Sequence, residues 1–306
     1  MRGKRADTHD VYHQGLQKLA EMKRAGVGTS KHKDKHDGRG FDGKIYSDGT
    51  GDDYGRKWGY YCDSMKAAGY TVNGHAPRTL EEAAGYMPQY IEELKARPGN
   101  QAGTTMSAWS VRNYFAAAGK VLGLSAKDYE LPARHTAEIR RSRGEAVRDA
   151  HFSESRNGEL VTFASCTGLR NAKELQQIRG TDLIERPDGS YAIHVHGKGG
   201  RVRESTIYGS PAEIRTVVDR MRASGDGKVW SHVHSAADIH SYRAGYASRM
   251  YDAIARDPAT IPASERYCCR GENAGVWYDK VALMAVSEEL GHSRCNVVVQ
   301  HYLWQR

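Results

Sequence analysis

Cysteine is scarce and unpatterned in this sequence. The five residues Cys62, Cys166, Cys268, Cys269 and Cys295 are an odd number without framework spacing, which excludes a disulfide-stapled scaffold and points to reduced thiols. The adjacent Cys268–Cys269 has no CxxC partner pair, so a structural zinc is not expected. No stretch approaches the roughly 18 consecutive apolar residues of a membrane span. No apolar run follows the charged start Met1–Arg5, so no secretory leader is read, and cytoplasmic, nucleoid-associated residence is the expectation. The Gly197-Lys198-Gly199 run is no P-loop, because no Gly-x-x-x-x-Gly-Lys-Ser/Thr occurs. Asp48–Asp53 lacks the acid that a calcium loop needs at its twelfth position. The pairs His194/His196 and His232/His234 are explained more cheaply by a polar strand face than by a metal site. Neither a metal nor a cofactor is expected.

What is present describes a globular chain of 306 residues, 39% hydrophobic and 27% charged, with mean hydropathy −0.71. That length suits two compact domains and an appendage. A net charge of +8 and an isoelectric point near 9.1 admit a polyanionic partner without proving one.

Periodicity divides the chain. Residues 1–43 read as an appendage, with a helix over about Thr8–Arg24 (Val11, Leu16, Leu19, Met22) and a polar, glycine-rich loop at Lys31–Gly38. Residues 44–132 read as a helical domain. Trp58, Tyr61, Met65 and Ala68 keep helical spacing. Leu80–Lys95 forms a second helix with Thr79 as N-cap and Pro98-Gly99 as its stop. Thr105–Leu122 forms a third, with Trp109, Val111, Tyr114, Phe115 and Val121 on its apolar face. Residues 133–150 read as a basic linker, rich in arginine at 134, 140, 141, 143 and 148. Residues 151–306 mix strands and helices. Leu160–Ala164 and Arg170–Gly180 read as helical, Tyr191–Ile207 as a hairpin, and Ser235 as the start of a long helix in which Asp238 completes a capping-box-like opening. The fold class expected is therefore an α-helical N-terminal domain plus a mixed α+β domain with a small antiparallel sheet.

Polar groups recur at the edges of these C-terminal elements. Gly168 in Thr167-Gly168-Leu169-Arg170 suits a tight turn that presents Arg170. Gly197-Lys198-Gly199-Gly200 makes a hairpin tip that carries one lysine. His240-Ser241-Tyr242-Arg243 sets His240 and Arg243 on one helix face. Leu290-Gly291-His292-Ser293 ends a helix, and Tyr302 lies ten residues beyond His292. Singly each is unremarkable: a surface cation, a turn lysine, a helix-end histidine, one of 18 tyrosines. Together, in the order Arg, Lys, His-x-x-Arg, Leu-Gly-His, Tyr, they resemble the catalytic signature of the tyrosine recombinase (phage integrase) family. The resemblance runs from about Phe152 to Trp304, and covers the helical half only by position and size.

The resemblance implies a metal-free DNA strand transfer. Tyr302 would attack phosphorus and hold a 3′-phosphotyrosine, conserving the bond energy without ATP. Arg170 and Arg243 would clamp the non-bridging oxygens, since the guanidinium fork matches phosphate. Lys198 would protonate the leaving 5′-oxygen, and His240 would take or relay the tyrosine proton. His292 would donate a hydrogen bond to the transition-state phosphate, and Glu174 would play a supporting part. The helical domain would be the family's core DNA-binding domain. Double-stranded DNA would be the partner, with a homotetramer on two sites, no membrane, and a directionality or host DNA-bending factor as an optional addition. A mobile-element integrase is the expected type. The alternatives are relaxation of the type IB topoisomerase kind, or a DNA-binding regulator without chemistry.

Three departures stand out. The run Arg170-Asn171-Ala172-Lys173-Glu174-Leu175 is one residue longer than the family pattern, which leaves the helix phase at Glu174 open. The 49 residues from Arg243 to His292 include an apparent insert at 257–278 whose Tyr267 and Tyr278 are rival nucleophiles. Four residues follow Tyr302, so a family-type docking tail is expected to be absent or elsewhere.

Overall fold

Short polar side chains open five of the six described helices of the first half, each satisfying a backbone N–H that its helix leaves unpaired. In the computed structural model, which describes residues 10–38, 43–99, 103–135, 138–139, 152–197 and 202–303, Asp10 opens α1 (Val11–Gly26) and Ser30 opens α2 (Lys31–His36). Ser47 opens α3 (Asp48–Ala67), and Thr79 accepts from Glu82 N at the start of α4 (Leu80–Ala84). Next come α5 (Met87–Ala96) and α6 (Ala108–Leu122), the latter capped by Ser107. No helix among the described residues is long and apolar enough to cross a membrane.

These helices belong to the first of two units, Met1–Ile139 and Arg140–Arg306. Its core is aromatic. Trp58 and Tyr61 stack at 5.3 Å, and Tyr61 meets Tyr90 edge-on at 4.8 Å. α1, inside the span read as an appendage, buries Val11 and Leu19 in that same core. A side chain at Gly15 would run into the Trp58 indole at 2.2 Å, so glycine permits the close crossing of α1 and α3.

Three local expectations are corrected here. Lys31–Gly38 is not all loop: Ser30 caps α2, and buried Asp34 receives Lys44 Nζ at 2.8 Å and the Tyr46 hydroxyl at 2.9 Å. Leu80–Lys95 is two helices rather than one, because Pro88 lacks the N–H of a helix interior and instead occupies the first turn of α5. Trp109 is 42% exposed rather than apolar-faced, with the Arg134 guanidinium 4.6 Å over its ring. Asp48–Asp53 is the first turn and a half of α3, where Asp48 and Asp52 face Lys23.

The second unit is mixed. α7 (Gly158–Thr167) precedes a single π-helical turn, Asn171–Leu175, and then the sheet: β1 (Leu183–Glu185), β2 (Tyr191–His196) and β3 (Val202–Thr206), antiparallel in the order β1-β2-β3. α8 (Pro211–Ser224) opens with a Ser210/Glu213 capping box. α9 (Ile239–Ile254), the hairpin β4 (Arg266–Cys268) and β5 (Trp277–Asp279), α10 (Lys280–Glu289) and α11 (Cys295–His301) complete the unit. Ser235 does not open α9; Asp238 is its cap, accepting from Ser241 N. The architecture is a helical unit and an α+β unit with small antiparallel sheets.

Arg170–Gly180 is not a continuous helix. Arg170 is extended, and the next turn is wide: Leu175 N donates to Arg170 O at 2.8 Å and Gln176 N to Asn171 O at 3.2 Å, both five residues apart. A π turn accommodates one extra residue in a helical stretch. The wide turn fixes the phase of Glu174, which the sequence left open. The span read as an insert, 257–278, holds three short 3₁₀ turns and most of the β4–β5 hairpin. Arg256 anchors its two ends, forking onto Asp279 at 2.7 and 2.8 Å and pairing with Glu265.

Candidate active site

The sharp turns that end α7 and α10 bring the polar groups together. Gly168 has φ +57°, and a Cβ there would meet the Tyr246 ring at 2.5 Å. Glycine therefore satisfies both the left-handed backbone and the close packing. The Gly168 carbonyl is thereby turned onto Arg243 Nη1. At the other end, Gly291 (φ +71°) follows Leu290, whose carbonyl accepts from Arg243 Nη2 and, at 3.0 Å, from Arg170 Nη2. Two guanidiniums thus converge on the electronegative end of α10, where cations are favoured.

Glu174 holds the cluster from below. Its carboxylate is 1% exposed. It receives Arg170 Nη1 at 2.6 Å and Arg170 N at 2.8 Å, while Arg203 Nη1 and Nη2 reach its two oxygens at 3.0 Å each. Burial by itself would lift this carboxyl, but the Arg203 fork and Arg170 outweigh it and hold Glu174 down at about 2. Arg243 Nη1 lies 4.0 Å from the same carboxylate. Three guanidiniums share one carboxylate, so the cluster carries an excess of positive charge suited to an anion.

Tyr302 closes the site at the end of α11. Its hydroxyl lies 3.0 Å from Arg243 Nε and 3.3 Å from His292 Nε2. Arg243, 2% exposed, also lies over the ring at 5.1 Å. Burial first, then Arg170, lowers the Arg243 guanidinium to about 10, with Tyr302 and Glu174 opposing. It therefore stays charged near neutrality. His292 is also within 3.2 Å of Arg170 Nη2. Burial and the nearby Arg170, Arg243, Arg203 and His301 lower His292 to about 4. His240, exposed on the first turn of α9, sets its ring 5.4 Å from that of Tyr302.

Of the residues singled out from sequence, Arg170, Glu174, His240, Arg243, His292 and Tyr302 are brought together. Lys198 lies outside the described residues, as does most of the 133–150 linker. Tyr267 and Tyr278 face each other across β4–β5, and Tyr278 packs edge-on against Tyr251 at 5.8 Å. Burial pushes both phenols up. Among the described residues, the tyrosine hydroxyl that Arg243 meets is that of Tyr302. His194 and His196 lie 4.9 Å apart and His232 and His234 5.2 Å apart. No group of three or more His, Cys, Asp or Glu among the described residues is placed to hold a metal ion.

Arg203 and Glu289 were missed. On β3 the apolar Val202 is 51% exposed while Arg203 points in. The register pairs Val195 with Arg203 and Ile193 with Ser205, so the buried face of β2 continues onto Arg203. Glu289 accepts from Thr206 N and Oγ1 at 2.7 Å each, and its carbonyl accepts from Arg203 Nε at 2.7 Å, tying β3 to the end of α10. The signal for Arg203 lay in strand parity counted back from Ser205 and Ile207, not in the apolar Val202.

No family model matches the chain. It is 27% identical over 154 residues to the succinate–CoA ligase [ADP-forming] subunit beta of Rhizorhabdus wittichii, a match covering 47% of this chain and 34% of that one. The chain thus spans about a third of that relative's length. Among solved structures, the crystal structure of the XerH site-specific recombinase bound to palindromic difH substrate, a post-cleavage complex, is similar with TM-score 0.47 at 12% identity, covering 95% of this chain and 90% of that one. The pre-cleavage XerH complex gives TM-score 0.46 at 11% identity, over 95% and 91%.

Proposed function

We propose that this chain is a site-specific DNA recombinase that cuts and rejoins strands through a covalent bond from Tyr302 to the 3′-phosphate. The observation that carries the reading is the Tyr302 hydroxyl held between Arg243 Nε and His292 Nε2, with Arg170 against the same histidine. A nucleophile beside two guanidiniums that share an excess positive charge is what phosphoryl transfer requires.

In this scheme a phosphodiester enters the Arg170/Arg243 pair, whose N–H donors exchange the Leu290 and Gly168 carbonyls for phosphate oxygens. Tyr302 attacks in line, and Lys198 protonates the leaving 5′-oxygen. The reverse attack by a 5′-hydroxyl rejoins the strand. Glu174 and Arg203 do not touch DNA; they hold Arg170 in place. The helical unit serves as the core DNA-binding domain, and four copies on two duplex sites carry out the exchange for a mobile element. A factor that sets direction or bends DNA is compatible with this scheme.

The test is a nicked suicide duplex in EDTA, resolved on denaturing gels. A protein–DNA adduct is expected from the wild type and none from Tyr302→Phe. An adduct that persists in Tyr302→Phe would overturn the assignment and move it to Tyr267 or Tyr278. Cleavage scattered over any duplex would replace recombination by relaxation.

A further inference from the structure

The hydrogen-bond directions around Tyr302 are forced. A guanidinium carries only N–H donors and does not give up its proton in proteins. Arg170 Nη2, 3.2 Å from His292 Nε2, must therefore donate, so Nε2 presents a lone pair and the ring proton sits on Nδ1. Arg243 Nε, 3.0 Å from the Tyr302 hydroxyl, must donate to that oxygen. The remaining contact, Tyr302 to His292 Nε2 at 3.3 Å, then has one possible direction: the phenol donates, sharing the Nε2 lone pair with Arg170 Nη2 until a phosphate draws that N–H onto its own oxygen.

We propose that His292, through Nε2, is the proton acceptor for Tyr302, and that the protonated ring afterwards donates to the phosphate. This rests on the transesterification reading above. It moves the proton-accepting part from His240, whose ring lies 5.4 Å from that of Tyr302, to His292, and it accounts for the phosphate-binding part of His292 as the later half of one cycle. The step balances. The Tyr302 O–H bond breaks as Nε2–H forms, Oη–P forms as P–O5′ breaks, and Lys198 supplies the proton of the 5′-hydroxyl. Religation returns the proton from Nε2 to Tyr302.

The surroundings support the timing. His292 is faced by Arg170 from the turn after α7, Arg203 from β3, Arg243 from α9, and His301 and Tyr302 from α11 and its end. Burial and these cations keep the ring neutral, as an acceptor must be. A phosphodiester seated on Arg170 and Arg243 brings a negative charge that offsets those cations. The ring becomes a stronger base when substrate arrives, which moves it toward the range where general bases are effective.

Two measurements test this on the full-length protein. In DNA-free protein labelled with ¹⁵N-histidine, with His292→Gln used for assignment, long-range ¹⁵N spectra should show His292 unprotonated at Nε2 and protonated at Nδ1 at pH 7, and still neutral at pH 5.5. An Nε2–H tautomer at pH 7, or a charged ring at pH 6, would overturn the proposal. The second uses randomised-sequence duplexes with 5′-bridging phosphorothiolates, whose sulfur leaves without an acid. His292→Gln should lower adduct formation about 10²–10³-fold, as expected for loss of a general base. Replacing Tyr302 by the more acidic trifluorotyrosine should recover tenfold or more of that loss, and none of the loss in His240→Gln. Equal losses with either phenol would reduce His292 to a phosphate ligand and sink the idea. If the wild type forms no adduct on any sequence, the recombinase reading fails, while the ¹⁵N spectra still decide the acceptor.

Discussion

Both units bury tyrosines, and the second holds one of them, Tyr302, differently from the rest. In the first unit Tyr61 donates to Ala83 O at 2.6 Å and Tyr86 to Glu93 at 2.5 Å, as Tyr246 in the second donates to Thr206 O at 2.9 Å. Burial pushes Tyr61 far up and Tyr86 up to about 12. Such phenols are locked in the protonated form and serve as packing. In the second unit Tyr302 is also buried, at 6% exposure, but its oxygen accepts from a cation and its proton faces a neutral imidazole. The difference lies in the partners rather than in burial. A tyrosine becomes a candidate nucleophile when a donor stabilises its oxyanion and an acceptor lies on its proton.

The largest effect expected on this contrast is structural. Arg203→Met removes the fork from buried Glu174, and breaking a buried ion pair costs roughly 3–5 kcal/mol. The low end, about 3 kcal/mol, is expected because Arg170 still pairs with the carboxylate. Hydrogen exchange should localise the loss to residues 152–303 and leave α1–α6 protected; equal deprotection of both units would break the comparison.

Acid should separate the units next. His292 is lowered to about 4 against about 6.5 unfolded. As pH falls from 6.5 to 4, the unfolded chain takes up a proton that the folded one refuses, so stability drops, by on the order of 2 kcal/mol once partial exposure is allowed for. Glu174, held at about 2, adds a further loss as pH falls from about 4.5 to 2. In the first unit Glu93 is the lowered carboxylate: burial opposes, but hydrogen bonds from Ser64, Tyr86 and Gln89 prevail. Its stabilisation persists until pH falls below the ordinary carboxylate range. Denaturant midpoints of the two units against pH should therefore diverge below pH 6.5, and His292→Gln should remove that early divergence.

The smallest effect sharpens the comparison from the other side. Tyr61→Phe deletes one hydrogen bond to a helix carbonyl and should cost about 1 kcal/mol in the first unit. Adduct formation per folded molecule should be unchanged. A loss of adduct on the scale of Tyr302→Phe would mean that the aromatic core is part of the chemistry.

Much of this molecule was legible in its sequence. Thr79 was read as a cap and is one, because a hydroxyl three residues before Glu82 N can satisfy that donor locally. The antiparallel pairing of β2 with β3 follows from alternation on either side of a glycine-rich run. Arg170, Arg243, His292 and Tyr302 were found through their ordered spacing. Less legible were features that depend on phase. The break before Pro88 looked like continuous helix, and Arg203 was not singled out at all. Both depend on which face an element presents, and a neighbouring element decides that.

The linear chain, then, determined which chemical groups exist, in what order, and where helices begin, since caps, turns and periodicities act within a few residues. Only the tertiary structure decided the pairing of Arg203 with Glu174, 29 positions apart, and the placing of Arg243 on Tyr302, 59 positions apart. It also decided the direction of the Tyr302 proton. That direction follows from which obligate donors crowd an acceptor, and no spacing rule places donors from separate elements around one oxygen.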